Sequence, residues 1–447
     1  EVEETYSVPM LDGKEYTGSL YHEFTAKEKR DLNIADNMAG VYATVTAALA
    51  DASLRGISGA TRFLLTDVSY LEAGSMTIPA IAGVSAVNTL TIKPQTGVTT
   101  QIAVNSTSPV FISNSDYIIW DGSNTLGGTT RDMTILNNGV TAGSSGGVFT
   151  GSSVAVNYNV VKNCILKNSG STIAYGVVFN SGSNNTATNN VVTKANLGIQ
   201  AQGSLGQGSN VTIDQNVIGD AVDRIGNKGI VVYATNGFTI TQNTVSEINN
   251  ALAANCDGIL AGFVTTSAVN GTISRNKISN IANTSASGYG SHGIQVAAGA
   301  ACNITVYDNV ITGILGSGDN ITTGLCIYNP SGILVTPTST PTGTTGVSIY
   351  NNSIYMSGIN AAYSPSSGWT GSACVMVDTL SGNIDMRNNA MRNDATGLAA
   401  TYTPYAIFVR GAGSPFTSLN YNVYYENTGA PSQLFGRYNS VNFVDYT

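Results

Sequence analysis

The chain has 447 residues, of which only 10% are charged, with a net charge of -8 and an isoelectric point near 4.7. That acidic balance argues against a nucleic-acid partner, because phosphate recognition draws on clustered Lys and Arg. No apolar run reaches the roughly 18–20 residues that a membrane-crossing helix needs.

Residues 1–38 hold 13 of the 46 charged residues. Within them Leu11-Asp12-Gly13-Lys14 carries the Asp-Gly of a tight hairpin, flanked by Tyr6, Val8, Tyr16 and Leu20. This stretch reads as a charged N-terminal arm with some β character. The text at 41–56 reads as a helix with Val45, Ala48, Leu49 and Ala52 on one face and Gly56 as its stop. Such a helix covers the open end of a strand stack, whose backbone groups are otherwise unpaired. Strands are expected next at 62–65, 89–92, 101–104, 110–112 and 117–120.

From there one phrase repeats: a branched apolar residue, two variable residues, Asn, one variable residue, and a second apolar residue. Its Asn falls at Asn163, Asn190, Asn216, Asn243, Asn276, Asn309, Asn352, Asn389 and Asn422. The first apolar position reads Val160, Ala187, Ile213, Ile240, Ile273, Val306, Ile349, Met386 and Leu419. The second runs from Ile165 and Val192 to Met391 and Tyr424. A phrase that survives spacings of 26 to 43 residues marks a coil with variable loops rather than a helical-repeat array.

A second phrase keeps step with it, in which a small residue precedes an apolar stretch. It occurs at Gly147, Gly176, Gly198, Gly229, Gly258, Gly293, Gly324, Ala373 and Ala406. After Gly324 the next Asn is late, so the Pro- and Thr-rich residues 329–345 are expected to loop out. Short β segments, Gly and Asn turns and no helix between them describe an all-β, right-handed parallel β-helix (a β-solenoid) with an N-terminal helix cap. Its handedness follows the general rule for parallel crossovers. The domain reading is an arm over 1–38 and a β-helix over 39–447. The recurring Asn suits a corner that needs the left-handed region, and its amide suits a ladder between stacked coils. These nine residues are read as scaffold.

Two segments are also family-like: "VYATVTAALADASLRGISGATRFLLTD" with "NTLTIKP", and "SDYIIWDGSN" with "RDMTILNN". They resemble the openings of large secreted or cell-surface parallel β-helix proteins of the Bacteroidota and Ignavibacteria type, and "NYNVYYENTG" with "GRYNSVNF" resembles their close. The resemblance implies an extracellular surface protein that leaves by a type IX-like secretion route. That route uses a C-terminal sorting domain, and none is visible in this text. A start at Glu1 without Met reads as a processed mature form, which agrees with export.

The β-helix fold also hosts polysaccharide lyases and glycoside hydrolases, so catalysis has to be weighed. Asn255-Cys256-Asp257-Gly258 and Ser291-His292-Gly293 look like polygalacturonase phrases, but no Asp-Asp pair and no R-I-K accompany them. Inverting hydrolysis needs two carboxylates flanking the bond, and Asp257 alone does not supply them. The repeat explains both phrases as well: the residue before the small position reads Tyr175, Leu197, Lys228, Asp257, His292 and Thr323 on successive coils. Lys228, Asp257 and His292 are therefore expected as neighbours in a surface charge column, and they are the catalytic candidates if the chain is an enzyme. Asp214, Asp220, Asp223, Asp308 and Asp319 fall in different columns, and no metal site or cofactor is indicated. No Ser-His-Asp arrangement is visible in the linear text. The cysteines Cys164, Cys256, Cys302, Cys326 and Cys374 are odd in number and widely spaced, as small buried hydrophobes are.

Aromatic residues crowd the last hundred positions, among them Tyr355, Tyr402, Tyr405, Tyr421, Tyr424 and Tyr425, where they can stack on sugars or on a protein. The leading expectation is an extracellular structural or adhesive surface protein that assembles head to tail with other copies of itself. The contacts would be Tyr6, Val8, Tyr16 and Leu20 of one copy against Tyr424 and Tyr425 of the next. The alternative is a carbohydrate-active enzyme (a polysaccharide lyase or glycoside hydrolase) or a glycan-binding module.

Overall fold

A computed structural model describes residues 42–425 apart from 106–110, 140–146, 151–153, 169–174, 204–207, 263–267, 287, 317–325, 339–342, 361–369, 398–401 and 412. It also describes the backbone of Val8–Pro9, Glu15–Tyr16, Arg30–Ile34, Leu434–Tyr438 and Val441–Phe443. Each coil contributes one strand to each of three long sheets. The first sheet runs from Arg30–Ile34 to Phe416–Asn420, the second from Ser69–Glu72 to Val423–Tyr425, and the third from Met76–Ile78 to Val441–Phe443. Pairing between coils is parallel throughout these sheets except at the last step of the third. The chain is a right-handed parallel β-helix, as its repeats predict.

The core is built from inward columns that the two repeated phrases announce. In the first sheet Ile240, Ile273, Val306 and Ile349 stack in register, and in the second Val245, Ile278, Ile311 and Ile354 do the same. The third contributes Ile230, Ile259, Ile294 and Ile333. All twelve are at most 2% exposed. Each such side chain contributes roughly 1.5–3 kcal/mol on burial.

The corner between the first and second sheets differs from expectation in one respect. The left-handed residue is not the ladder Asn but the residue before it: Asn189, Gln215, Gln242, Arg275, Asp308, Asn351, Asn388 and Tyr421 all have φ between 52° and 57°. The Asn that follows is turned inward and bonds along the stack. Asn276 Oδ1 accepts from the backbone N–H of Asn243 and from its Nδ2, both at 3.0 Å. Asn276 Nδ2 in turn donates to Ile240 O at 3.0 Å and to Asn309 Oδ1 at 2.9 Å. The same pattern links Asn190, Asn216, Asn243, Asn276, Asn309, Asn352, Asn389 and Asn422 without a break.

Asn163 does not belong to that column. It pairs one position earlier, in the left-handed corner with φ 58°, and Cys164 occupies the ladder position, its N–H donating to Asn190 Oδ1 at 3.0 Å. Val161 and Leu166, not Val160 and Ile165, therefore face the core. The linear phrase misassigned this coil because N-C-I-L offers two registers one residue apart, and a one-residue shift moves every side chain to the other face.

The expected cap helix is present as α1, Val45–Arg55, with Val45, Ala48, Leu49 and Ala52 buried. Thr44 caps it by accepting from Ala47 N, and Gly56 closes it at φ 71°. Glu72 adds a carboxylate at its start, accepting from Val45 N at 2.8 Å and from Thr46 Oγ1 at 2.6 Å, where the helix dipole favours a negative charge.

Two boundary expectations change and one holds. Val8–Pro9 pairs antiparallel with Glu15–Tyr16, as the hairpin text implies. Arg30–Ile34, inside the expected arm, pairs with Thr61–Leu65 and forms the outermost rung of the first sheet, so the β-helix begins before residue 39. Tyr6 and Leu20 lie outside the described residues. Residues 329–345 are not one loop, since Ser331–Val335 is a buried strand of the third sheet and Gly332, not Gly324, is its small residue. Val441–Phe443 ends the third sheet by folding back on Leu434–Tyr438.

The ladder yields a direct test. Asn276→Ala strips hydrogen bonds from Asn243, Ile240 and Asn309 and is expected to cost about 2–3 kcal/mol in urea unfolding. Thr272→Ala, half-buried on the outer face of the same coil, is expected to stay within about 0.5 kcal/mol.

Candidate functional sites

The third sheet brings Lys228, Asp257 and His292 side by side on successive coils, as the repeat predicts, but encloses them. The next residue in that column is Ser331 rather than Thr323. Asp257 and His292 are 0% exposed, and the Lys228 side chain is 16% exposed. This is not a surface charge column. The strands Cys256–Gly262 and Ser291–Ala297 are buried at every residue, which means that both faces of the sheet are covered here. Further along, Cys326, Leu334, Ala373, Met376, Tyr405 and Phe408 form an apolar cluster on the outer face. The linear text hid this burial because the repeat reports which side chains share a column, not whether that column is solvated.

Asp257 is held from two sides. Lys228 Nζ pairs with Oδ2 and also donates to Asn255 O at 3.0 Å. His292 Nδ1 meets Oδ1 at 2.7 Å. Burial opposes ionisation of Asp257, but the Lys228 charge and the His292 contact outweigh it and hold the carboxyl below its usual range. The anion requires a proton on Nδ1, which leaves Nε2 as the ring nitrogen without a partner among the described residues. A second enclosed carboxylate, Asp378, accepts from Cys326 N at 2.6 Å and Thr379 N at 2.7 Å. Burial pushes its pKa up. The sequence reading missed it, and only its place after the apolar run Val375-Met376-Val377 hints at burial.

Asp257 is a fixed anion and not an accessible acid or base flanking a glycosidic bond. The other carboxylates are dispersed: Asp223 pairs with Lys167, and Asp220 accepts from Val222 N and Asp223 N. Asp319 lies outside the described residues. Among the described residues no three His, Cys, Asp or Glu side chains converge as a metal site. All five cysteines are buried and unpaired; burial pushes the Cys302 thiol up to about 11.

A different arrangement lies on the outer face of the second sheet near its C-terminal end. Tyr355, Arg392 and Tyr425 are in register on three successive coils. The Arg392 guanidinium carbon lies 5.3 Å from the Tyr355 ring centre and 4.3 Å from that of Tyr425, so the cation bridges two aromatic faces. Asp394 pairs with the same guanidinium. Tyr355 is 39% and Tyr425 56% exposed. With Val310, Ser353 and Val423 they line a shallow apolar groove. Tyr425 thus keeps the exposure expected of a contact residue, whereas Tyr424 packs against the core. Tyr402 and Tyr405 also pack inward, against the core and the outer-face cluster.

No known family matches the chain, and no curated protein does. Among solved structures it is similar to the Dettilon tailspike protein at 11% identity and a TM-score of 0.43, over 85% of this chain and 64% of that one. It is similar to tailspike protein 2 of bacteriophage CBA120 at 10% identity and a TM-score of 0.48, over 88% of this chain and 54% of that one. It is also similar to the alginate lyase from Paenibacillus sp. str. FPU-7 at 12% identity and a TM-score of 0.40, over 88% of this chain and 99% of that one. At these identities the likeness concerns the β-helix architecture alone.

The enclosed pair predicts an acid-sensitive contribution. A carboxylate whose folded-state pKa is depressed stabilises the protein fully above its unfolded value and loses that contribution as pH falls through the folded one. Asp257→Asn is therefore expected to lower Tm at pH 7. Its deficit relative to the wild type should shrink below about pH 4, where Asp257 becomes protonated in the unfolded wild-type chain. Lys228→Met is expected to cost roughly 3 kcal/mol by denaturant titration, because the buried anion loses its cationic partner.

Proposed function

We propose that this chain is an exported adhesive β-helix scaffold that attaches to glycans through the platform of Tyr355, Arg392 and Tyr425. One observation carries the reading: two partly exposed tyrosines clamp a guanidinium in register on a rigid sheet. Sugar rings present C–H faces that stack on aromatic rings, while the guanidinium offers planar donors to hydroxyl or carboxylate oxygens. Rigidity helps, because side chains fixed by cross-coil packing lose little freedom on binding. The neutral Asn- and Thr-rich surface suits a protein outside the cell. Head-to-tail assembly draws less support, since Arg30–Ile34 of the arm already pairs with its own coil.

Affinity electrophoresis through gels containing neutral or acidic polysaccharides tests the reading. Retardation by at least one glycan is expected. Tyr355→Ala and Tyr425→Ala should each weaken it about 3–10-fold at unchanged Tm. Unaltered mobility of the wild type in every gel, or full retention by Tyr425→Ala, would refute the platform.

A further inference from the structure

The column that holds Lys228, Asp257 and His292 continues on the next coil to Ser331, and its atoms are left in an unusual state. His292 Nε2, Ser331 Oγ and Gln295 Nε2 are all buried with no hydrogen-bond partner among the described residues. His292 and Ser331 are 0% exposed and Gln295 is 1% exposed. Buried polar atoms are nearly always paired, so three on two adjacent strands call for an explanation. His292 and Ser331 are register partners, with backbones about 4.8 Å apart, and Gln295 stands three residues further along the His292 strand.

We propose that Asp257, His292 and Ser331 form an acyl-transfer relay that cleaves esters of small acids, with Gln295 as the donor to the developing oxyanion. Asp257 is the positioning residue: it fixes the imidazole through Nδ1 and leaves Nε2 to accept a proton. Ser331 supplies the nucleophile. Its Oγ bonds to the ester carbonyl carbon while its proton passes to His292 Nε2, and the carbonyl oxygen gains the charge that the Gln295 amide meets. Collapse breaks the bond to the alcohol oxygen, which leaves with that proton. Water then adds to the acyl-serine, its proton passing through His292 back to Ser331 Oγ as the free acid departs. Catalytic hydrogen bonds are often long before substrate binds, so the unmade His292–Ser331 contact is compatible with this role. Because His292 and Ser331 are 0% exposed, a small acyl group such as acetyl is favoured over a larger one. This relay lies on a different sheet from the tyrosine platform and does not depend on glycan adhesion.

The test uses the full chain with 4-nitrophenyl acetate and butyrate, together with peptide mass mapping of the acetyl label trapped by acid quench. Hydrolysis of the acetate in preference to the butyrate, with the label on Ser331, is expected. Because Ser331 Oγ holds no partner, Ser331→Ala should keep its Tm yet lose about 100-fold or more in rate. Asp257→Asn should move the pH–rate profile to lower pH, a readout that a purely structural role would leave in place. Hydrolysis unchanged in Ser331→Ala, or a label found only on other residues or on none, would overturn the assignment.

Discussion

Everything in this molecule depends on one constraint: each coil must hand its backbone and corner groups to the next without leaving any unpaired. Strand pairing satisfies the sheets, but a corner breaks the ladder and turns N–H and C=O groups inward. The column from Asn190 to Asn422 solves this with a side chain that accepts twice and donates twice in the width of one rung. The left-handed residue just before each ladder Asn makes the bend. It is tolerant of side-chain type because it faces solvent, which is why Gln, Arg, Asp and Tyr all serve there. The Asn has no such freedom. Only a short amide reaches both the carbonyl of one coil and the amide of the next.

A stack that regular has room for chemistry only where the rule is relaxed. On the third sheet the strands Cys256–Gly262 and Ser291–Ala297 are buried at every residue, so positions that would be solvated elsewhere are enclosed. Enclosure turns a Lys, an Asp and a His from surface decoration into a strongly coupled unit, because low dielectric strengthens each contact and penalises each missing one. The same enclosure leaves Ser331 and Gln295 with buried polar atoms that no group among the described residues pairs. The fold thereby gives a rigid row of functional groups at fixed spacing, much as its outward columns give a rigid row of hydroxyls or rings.

The outer face of the second sheet keeps the opposite character. It remains open, and the same column arithmetic sets Tyr355, Arg392 and Tyr425 one above another. Their value lies in preorganisation. An aromatic–cation–aromatic stack on a loop would lose its order on most encounters, whereas here the backbone of three coils holds it.

The amino-acid sequence by itself determined the architecture, since an apolar-Asn-apolar phrase returning across spacings of 26 to 43 residues is compatible only with stacked coils. It also determined the cap helix and the neighbour relation of Lys228, Asp257 and His292, because all three are local patterns or consequences of register. What it left undecided is whatever depends on residues outside the phrase. Asn163 and Cys164 competed for one column, and only pairing with Asn190 resolved the register. Ser331 replaced Thr323 because a buried strand can hide inside Pro- and Thr-rich text. Burial of Asp257 and His292, the separation of Tyr424 from Tyr425, and the meeting of Arg392 with two tyrosines were likewise decided by the tertiary structure. The physical reason is common to them all: periodicity reports which side chains share a column, whereas exposure and partnership depend on what the intervening loops lay across it.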